Sequence, residues 1–150
     1  MNITTADNIY LAHFIAKLAH KGQVDKAGNP YILHPEYVAS KFNSSSEYEY
    51  KIVAYLHDVV EDTDITTAQI ARLFNSRVAN AVDLLTRKDG QNYFEYINNI
   101  RDSKNMIAIK VKIEDLKHNS DMSRIPNPTN KDMERLKKYK KAINILSEEE

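Results

Sequence analysis

Apolar residues recur three or four positions apart along most of the chain, whereas the strict alternation typical of β-strands is scarce. Ile9, Ala12, Ile15, Ala16 and Ala19, for example, would lie on one face of a helix. Only three glycines and four prolines occur in 150 residues, so few positions would break such helices. The pattern predicts an all-α fold, a bundle of helices around one core.

The predicted helices follow one another with short connections. Thr66 and Gln69 have the spacing of a capping box, and Gly22 is placed to end the first helix. Lys88-Asp89-Gly90 is typical of a turn. The expected helices cover residues 7–21, 35–42, 47–61, 66–74, 76–87, 92–101 and 104–117, and a last helix follows Thr129 and frays at 148–150.

A loop is predicted between the first two helices, over residues 22–34. Gly28-Asn29-Pro30 has turn chemistry, which allows a short hairpin inside this loop, and His34-Pro35 then opens the next helix. Because binding residues are frequent on loops that a rigid scaffold positions, this segment is the expected recognition loop.

Composition limits the size of the fold and its partners. The apolar content of 42% is sufficient for a single domain over residues 1–150. Twenty-one basic and twenty-one acidic side chains cancel, so the net charge predicts neither nucleic acid nor an anionic membrane as a partner. The basic residues at 137–141 are interpreted as a solvated helix face.

The absence of cysteine restricts the chemistry and points to a compartment. Disulfides, thiolate metal sites and cysteine nucleophiles are excluded, which leaves histidine and carboxylate as metal ligands. The first residues lack the basic start and apolar run of a secretory signal, and no apolar stretch approaches the ~20 residues of a membrane span. We expect a cytoplasmic enzyme or binding protein.

A dense group of charges stands out within apolar sequence. His57, Asp58, Glu61 and Asp62 fall in and just after the predicted helix 47–61, and helical pitch would place the acidic side chains on one face. One interpretation is a polar stripe that faces water. The apolar residues around them favour a cleft instead, in which a bound cation would compensate the carboxylates.

Four positions form a coherent ligand set. Two imidazoles and two carboxylates suit manganese, iron or zinc, with positions left open for water and a substrate oxygen. Such an ion lowers the pKa of its water from about 16 towards about 7 in the best zinc cases. Taken singly, each residue also has a structural explanation, as a helix start or a charged outer face. The four residues are His34, His57, Asp58 and Asp115.

Several ordered motifs resemble the HD-domain hydrolases of the RelA/SpoT alarmone family. The likeness runs in order from about Ala12 to Leu146 and includes Tyr139 in the last helix. The motifs are Gly22-Gln23 with Lys26, then Gly28-Asn29-Pro30-Tyr31-Ile32-Leu33-His34-Pro35, then Leu56-His57-Asp58-Val59-Val60-Glu61-Asp62-Thr63, and finally Asp115-Leu116-Lys117-His118-Asn119.

The resemblance implies a helical HD-domain bundle and assigns roles to individual residues. The metal ligands would be His34, His57, Asp58 and Asp115, holding Mn²⁺, with Fe²⁺ or Zn²⁺ as the other candidates. Glu61 and Asp62 would be the catalytic acidic pair that activates and orients water. The substrate-binding residues would be Lys26 as a phosphate partner, Tyr31 as a packing surface, Asn119 as a neutral amide, and Tyr139.

Departures from the family pattern affect the substrate-binding positions. Asp25 precedes Lys26 where the family usually has an arginine that stacks on guanine, and an aspartate cannot stack and repels phosphate. Leu116-Lys117 replaces an arginine-leucine pair, and Asp121-Met122 replaces an arginine-threonine pair. Lys21, Lys117 and Arg124 are candidates to compensate, although a solvated surface role is the expected one for each.

The leading hypothesis is metal-dependent hydrolysis of the 3′-pyrophosphate of guanosine tetra- or pentaphosphate by an activated water. Asp25 and Met122 favour a second hypothesis, an HD-domain phosphohydrolase for another nucleotide, such as a nucleoside monophosphate or a nicotinamide dinucleotide phosphate. A third is a helical module that binds metal and nucleotide without catalysis, against which Glu61 and Asp62 both argue. The sequence leaves the oligomeric state open.

Overall fold

The computed structural model describes residues 4–148, and their regular structure is helical. The helices are α1 (Thr5–Ala19), α2 (Leu33–Ala39), α3 (Tyr48–Leu56), α4 (Val59–Asp62), α5 (Thr67–Leu73), α6 (Ser76–Leu85), α7 (Tyr93–Asp102), α8 (Met106–Asn119) and α9 (Asn130–Ser147). Short 3₁₀ turns cover Ser45–Glu47 and Met122–Arg124. The all-α prediction is confirmed. Glu149 and Glu150, at the end expected to fray, lie outside the described residues.

The loop between α1 and α2 forms a minimal hairpin, as the turn chemistry allowed. Val24 and Pro30 make an isolated antiparallel bridge. The backbone N–H of Tyr31 donates to the carbonyl of Gln23, and that of Asp25 donates to the carbonyl of Asn29. Gly28 occupies the left-handed region with φ +86°, which favours glycine at this turn.

Helix α3 lies in the centre of the bundle and packs against α1, α2, α6 and α8. Ile52, Val53 and Leu56 of α3 are almost fully buried, as are Val111 and Leu116 of α8. Burying a side chain of this size contributes roughly 1.5–3 kcal/mol relative to leaving it exposed. This packing fixes the carboxyl end of α3 beside α2 and α8, which together carry the candidate metal ligands.

The predicted central helix over residues 47–61 is wrong in one respect, because it is interrupted. Helix α3 ends at Leu56 and α4 begins at Val59, so His57 and Asp58 lie in the turn between them. The Nδ1–H of His57 donates to the carbonyl of Ala54, and Asp58, the residue before α4, has φ −107° and ψ −1°, away from the values of a regular α-helix. A side chain that bonds a nearby carbonyl competes with the helical hydrogen bond there.

Other helix ends differ from the predictions by one to three residues. Helix α8 begins at Met106 instead of residue 104, because Lys104 has φ +58° and the side chain of Asn105 caps the helix by accepting from the N–H of Ala108. The capping box predicted for Thr66 and Gln69 is confirmed at the start of α5.

Candidate metal centre and substrate cavity

Three of the four predicted ligands converge at one point. One nitrogen or oxygen atom from each of His34, His57 and Asp58 lies within 4.8 Å of the others. His34 comes from the first turn of α2, whereas His57 and Asp58 come from the turn between α3 and α4. The interruption after Leu56 is therefore the local feature that presents two neighbouring side chains to one site.

The orientation of His57 suits metal coordination. Its Nδ1 lies 2.6 Å from the carbonyl oxygen of Ala54, and because a carbonyl only accepts, Nδ1 carries a proton. The opposite nitrogen, Nε2, is buried 3.1 Å from Oδ2 of Asp58 and 3.6 Å from Oδ1 of Asp115, and within residues 4–148 it makes no hydrogen bond of good geometry. A buried polar atom without a well-formed hydrogen bond is costly, and coordination of a cation would satisfy it.

Asp115, the fourth predicted ligand, lies beside this cluster on α8. Its Oδ1 is 2.8 Å from Nε2 of His34 and 3.6 Å from Nε2 of His57. Asn119 donates from Nδ2 to the same oxygen over 3.0 Å, and Lys112 donates from Nζ to Oδ2 over 2.8 Å. No motif in the sequence assigns a role to Lys112.

The electrostatics of the cluster favour bound positive charge. Burial alone would lower the pKa of His57, but Asp58 and Asp115 outweigh it and raise this pKa well above its usual value. Burial opposes ionisation of Asp115 as well, yet Lys112 and the two histidines hold its pKa well below the ordinary range. The carboxylates of Asp58 and Asp115 thus stay ionised. Together they favour a cation beside Nε2 of His57.

Tyr31 connects the recognition loop to the cluster. Its hydroxyl donates a short hydrogen bond to Oδ2 of Asp58, and its ring lies between His20 and His34, with centroid distances of 4.9 and 5.7 Å. Burial and the neighbouring Asp58 carboxylate raise the pKa of Tyr31, so the hydroxyl remains a donor. Tyr31, expected as a packing surface for substrate, also fixes the orientation of a candidate ligand.

Glu61 and Asp62, the expected catalytic pair, end α4 and line an open cleft of about 730 Å³ together with Arg87 and Lys88. Glu61 accepts a 2.7 Å hydrogen bond from the backbone N–H of Arg87. Asp62 accepts from Nε2 of Gln23 over 3.3 Å. Burial raises the pKa of Glu61 despite the Arg87 hydrogen bond.

A second cavity of about 360 Å³ contains all four predicted substrate-binding residues. Two of its lining residues also contact the ligand cluster: Tyr31 donates a hydrogen bond to Asp58, and Asn119 donates one to Asp115. The cavity therefore adjoins the candidate metal centre. Its polar and charged lining residues are Gln23, Asp25, Lys26, Tyr31, Asn119, Asp121, Arg124, Arg135 and Tyr139.

Asp132, a nearly buried residue of α9, organises two cations of this cavity. Its Oδ1 lies 3.2 Å from Nζ of Lys26 and 3.2 Å from Nη1 of Arg135. Sequence reasoning named Lys26 but missed Arg135 and Asp132, because on α9 they fall among many other charged residues. The i, i+3 spacing of Asp132 and Arg135 was the only local signal.

The position of Arg124 corrects an expectation. It was expected on the solvated surface, but it lines the cavity, donates to the carbonyl of His118 and lies 3.7 Å from Oδ2 of Asp25. The other oxygen of Asp25 accepts from the N–H groups of Ala27 and Asn29 and so holds the hairpin. Lys117, by contrast, is exposed beside Glu114.

Comparison with known proteins decides the family. Residues 12–138 match the family described as HD domain. The chain belongs to the HD-domain family. The His57-Asp58 pair and the ligand cluster lie within the matched part of this HD domain. No helix within the described part of the chain is long and apolar enough to cross a membrane.

Several curated relatives of this HD domain are much longer proteins. The guanosine-3′,5′-bis(diphosphate) 3′-pyrophosphohydrolase of Aquifex aeolicus (strain VF5) is 42% identical over 83 residues, which cover 55% of this chain and 12% of that protein. The bifunctional (p)ppGpp synthase/hydrolase SpoT of Escherichia coli (strain K12) is 39% identical over 79 residues, covering 52% and 11%. The GTP pyrophosphokinase of Myxococcus xanthus is 33% identical over 128 residues, covering 75% and 17%.

A solved structure shares the fold of the HD domain. It is a metazoan ortholog of SpoT that hydrolyzes ppGpp, with a TM-score of 0.78, 23% sequence identity, and coverage of 93% of this chain and 85% of that one. At this identity the likeness establishes the arrangement of helices. The helical bundle expected from the sequence is therefore shared with a protein of similar size.

Proposed function

We propose that this HD domain is a metal-dependent hydrolase that removes the 3′-pyrophosphate from guanosine tetra- or pentaphosphate. The observation that carries the proposal is the convergence of His34, His57 and Asp58 beside a cavity lined by cationic side chains. The names of the relatives and the structural neighbour support the same substrate class.

The residues of the cluster fit a divalent transition ion held by nitrogen and oxygen donors. His34, His57, Asp58 and Asp115 would hold it, and Mn²⁺ is the proposed ion, with Fe²⁺ or Zn²⁺ compatible with the same donors. When bound, such an ion lowers the pKa of water and supplies a nucleophile near neutral pH. The buried Nε2 of His57, which faces the carboxylates of Asp58 and Asp115 without a well-formed hydrogen bond, is the structural feature that most directly supports this assignment.

The remaining side chains act on the substrate. Glu61 and Asp62 activate and orient the attacking water, since Glu61 lies within electrostatic reach of Asp58 and Asp62 accepts from Gln23, which lines the substrate cavity. Lys26 and Arg135, held together by Asp132, bind phosphate oxygens. Asn119 donates to the substrate from its amide, and Tyr31 and Tyr139 border the nucleotide.

A direct assay tests the proposal. Purified protein is incubated with Mn²⁺ and guanosine tetraphosphate, and GDP and pyrophosphate are quantified. The wild type should turn over, whereas Asp58→Ala should lose at least two orders of magnitude in kcat. Asp64→Ala is the matched control, because Asp64 is exposed and lies outside the cluster. Inactive wild type, or full activity of Asp58→Ala, would refute the proposal.

The acidic lining of the cavity favours a second candidate, hydrolysis of another phosphorylated nucleotide. Asp25 and Asp121 line the same cavity as Lys26 and Arg124, and carboxylates there oppose a highly charged substrate. A panel containing nucleoside monophosphates and a nicotinamide dinucleotide phosphate separates the two candidates. Turnover of one of these with no turnover of the alarmone would select the second candidate.

A further inference from the structure

His118 forms a ring-to-ring hydrogen bond with His34, one of the candidate metal ligands. Its Nδ1 lies 2.7 Å from Nδ1 of His34, and the two ring planes are inclined by only 4°. Stacked rings stay about 3.5 Å apart, so a separation of 2.7 Å means that the two nitrogens meet at the ring edges. This geometry is a hydrogen bond in which one Nδ1 donates and the other accepts.

Neighbouring groups fix the position of the His118 ring. The ring of Tyr37, from α2, is stacked on it at a centroid distance of 3.9 Å and an angle of 13°. Nη1 of Arg124 donates to the backbone carbonyl of His118 over 2.8 Å. Tyr37 and His34 are three residues apart on α2, so one helix supplies both contacts to His118.

The metal centre proposed above determines the direction of this hydrogen bond. Nε2 of His34 is the nitrogen next to Asp115 and the ligand cluster. Without an ion it donates to the Asp115 carboxylate, whereas coordination requires its lone pair. A neutral imidazole then carries its only proton on Nδ1. The Nδ1–H of His34 therefore donates to Nδ1 of His118. Because that nitrogen accepts, the proton of the neutral His118 ring lies on Nε2 of His118.

We propose that His118 is a positioning residue that selects the Nδ1–H tautomer of His34 and so presents Nε2 as a metal donor. This inference rests on the proposed metal centre and assigns to His118 a role that no motif specified. Partners of this kind typically contribute 10–100-fold to metal affinity, because they fix both the tautomer and the ring orientation.

Two substitutions separate this role from simple packing. The amide oxygen of asparagine reaches the position of a histidine Nδ1, whereas the amide of glutamine reaches that of Nε2. Mn²⁺ is titrated into metal-free wild type, His118→Asn and His118→Gln by calorimetry. We expect His118→Asn to bind within about threefold of wild type and His118→Gln to bind about 10–100-fold more weakly. Thermal unfolding without metal should be the same for His118→Asn and His118→Gln, because both lose the stacking of the ring on Tyr37.

Equal affinity of His118→Gln and wild type would overturn the role of His118 while leaving the metal centre intact. Failure of wild type to bind Mn²⁺ would instead overturn the metal centre and this inference with it. Nitrogen-15 NMR of wild type loaded with Zn²⁺ provides a test that needs no variant. It should show His34 protonated at Nδ1 and His118 protonated at Nε2, and the reverse assignment would contradict the inference.

Discussion

Lys112 is the buried cation on which Asp115 depends. Its Nζ bonds Oδ2 of Asp115 and leaves Oδ1 directed towards the two histidines. Removing one partner of a buried ion pair typically costs 3–5 kcal/mol, because the other charge is left uncompensated. We therefore expect Lys112→Met to lower the free energy of unfolding of the metal-free protein by about 3 kcal/mol in urea titration.

A matched substitution on the same helix tests whether burial is the cause. Lys117 is exposed and lies 3.7 Å from Glu114, and such surface pairs are worth at most about 1 kcal/mol. Lys117→Met should change the free energy of unfolding by less than about 0.5 kcal/mol. Saturating Mn²⁺ should reduce the penalty of Lys112→Met, because a bound cation also compensates Asp115. Equal penalties for both variants would contradict this account.

Glu61 should determine the acid side of the pH–rate profile. Burial raises its pKa, so on acidification the folded protein protonates this carboxylate at a higher pH than an ordinary glutamate. As the proposed base it works only when ionised, and kcat should fall as the pH drops through a value above 4.5, the ordinary pKa of the group. Mn²⁺ binding is measured over the same pH range and should persist where kcat falls. Loss of Mn²⁺ at the same pH would attribute the fall in kcat to protonation of the metal ligands instead of Glu61.

At the residue scale, the motifs name residues that the fold brings together, and their role in substrate binding stays a prediction. Lys26, Tyr31, Asn119 and Tyr139 were expected at the substrate, and all four line one cavity. Arg135 could not be identified in this way, because α9 carries charged residues on several faces. Which face meets the cavity depends on how α9 packs against α7 and α8.

At the scale of elements, helix identities were predictable and the interruption after Leu56 was not. The apolar spacing of residues 47–61 is compatible with one continuous helix, and neither glycine nor proline marks a break. The turn at His57 and Asp58 depends on the hydrogen bond to Ala54 and on packing around the site. Tertiary structure overrides helical propensity at this position.

The start of α9 offers a test of how an element supports the cavity. Thr129 caps the helix, and its capping box with Asp132 also positions the carboxylate that holds Lys26 and Arg135. Thr129→Ala should cost about 1 kcal/mol of unfolding free energy and raise KM more than it lowers kcat. Asn130→Ala, one residue later on the exposed surface, is the control and should change neither. A purely kcat effect would contradict the proposed role in binding.

At the scale of the whole molecule, ion binding should stabilise the fold. Donors from α2, from the turn between α3 and α4, and from α8 meet at the cluster, and unfolding separates them. A ligand that binds only the folded state stabilises it by about 2.7 kcal/mol at 100 times its dissociation constant. Mn²⁺ should therefore raise the Tm in scanning calorimetry and EDTA should reverse the increase. Asp58→Ala should show no increase.

The contact between Lys26 and Asp132 joins residues 106 positions apart. One wall of the cavity proposed to bind the nucleotide is consequently assembled from the first hairpin and the last helix, whereas the candidate ligands all precede Asn119. A chain that ends before Asn130 would still contain every proposed ion donor. It would lack Arg135, the second cation proposed to bind phosphate. Substitutions confined to α9 therefore alter the proposed phosphate contacts and leave all four proposed ion donors unchanged, whereas substitutions of Tyr31 or Asn119 affect both sites.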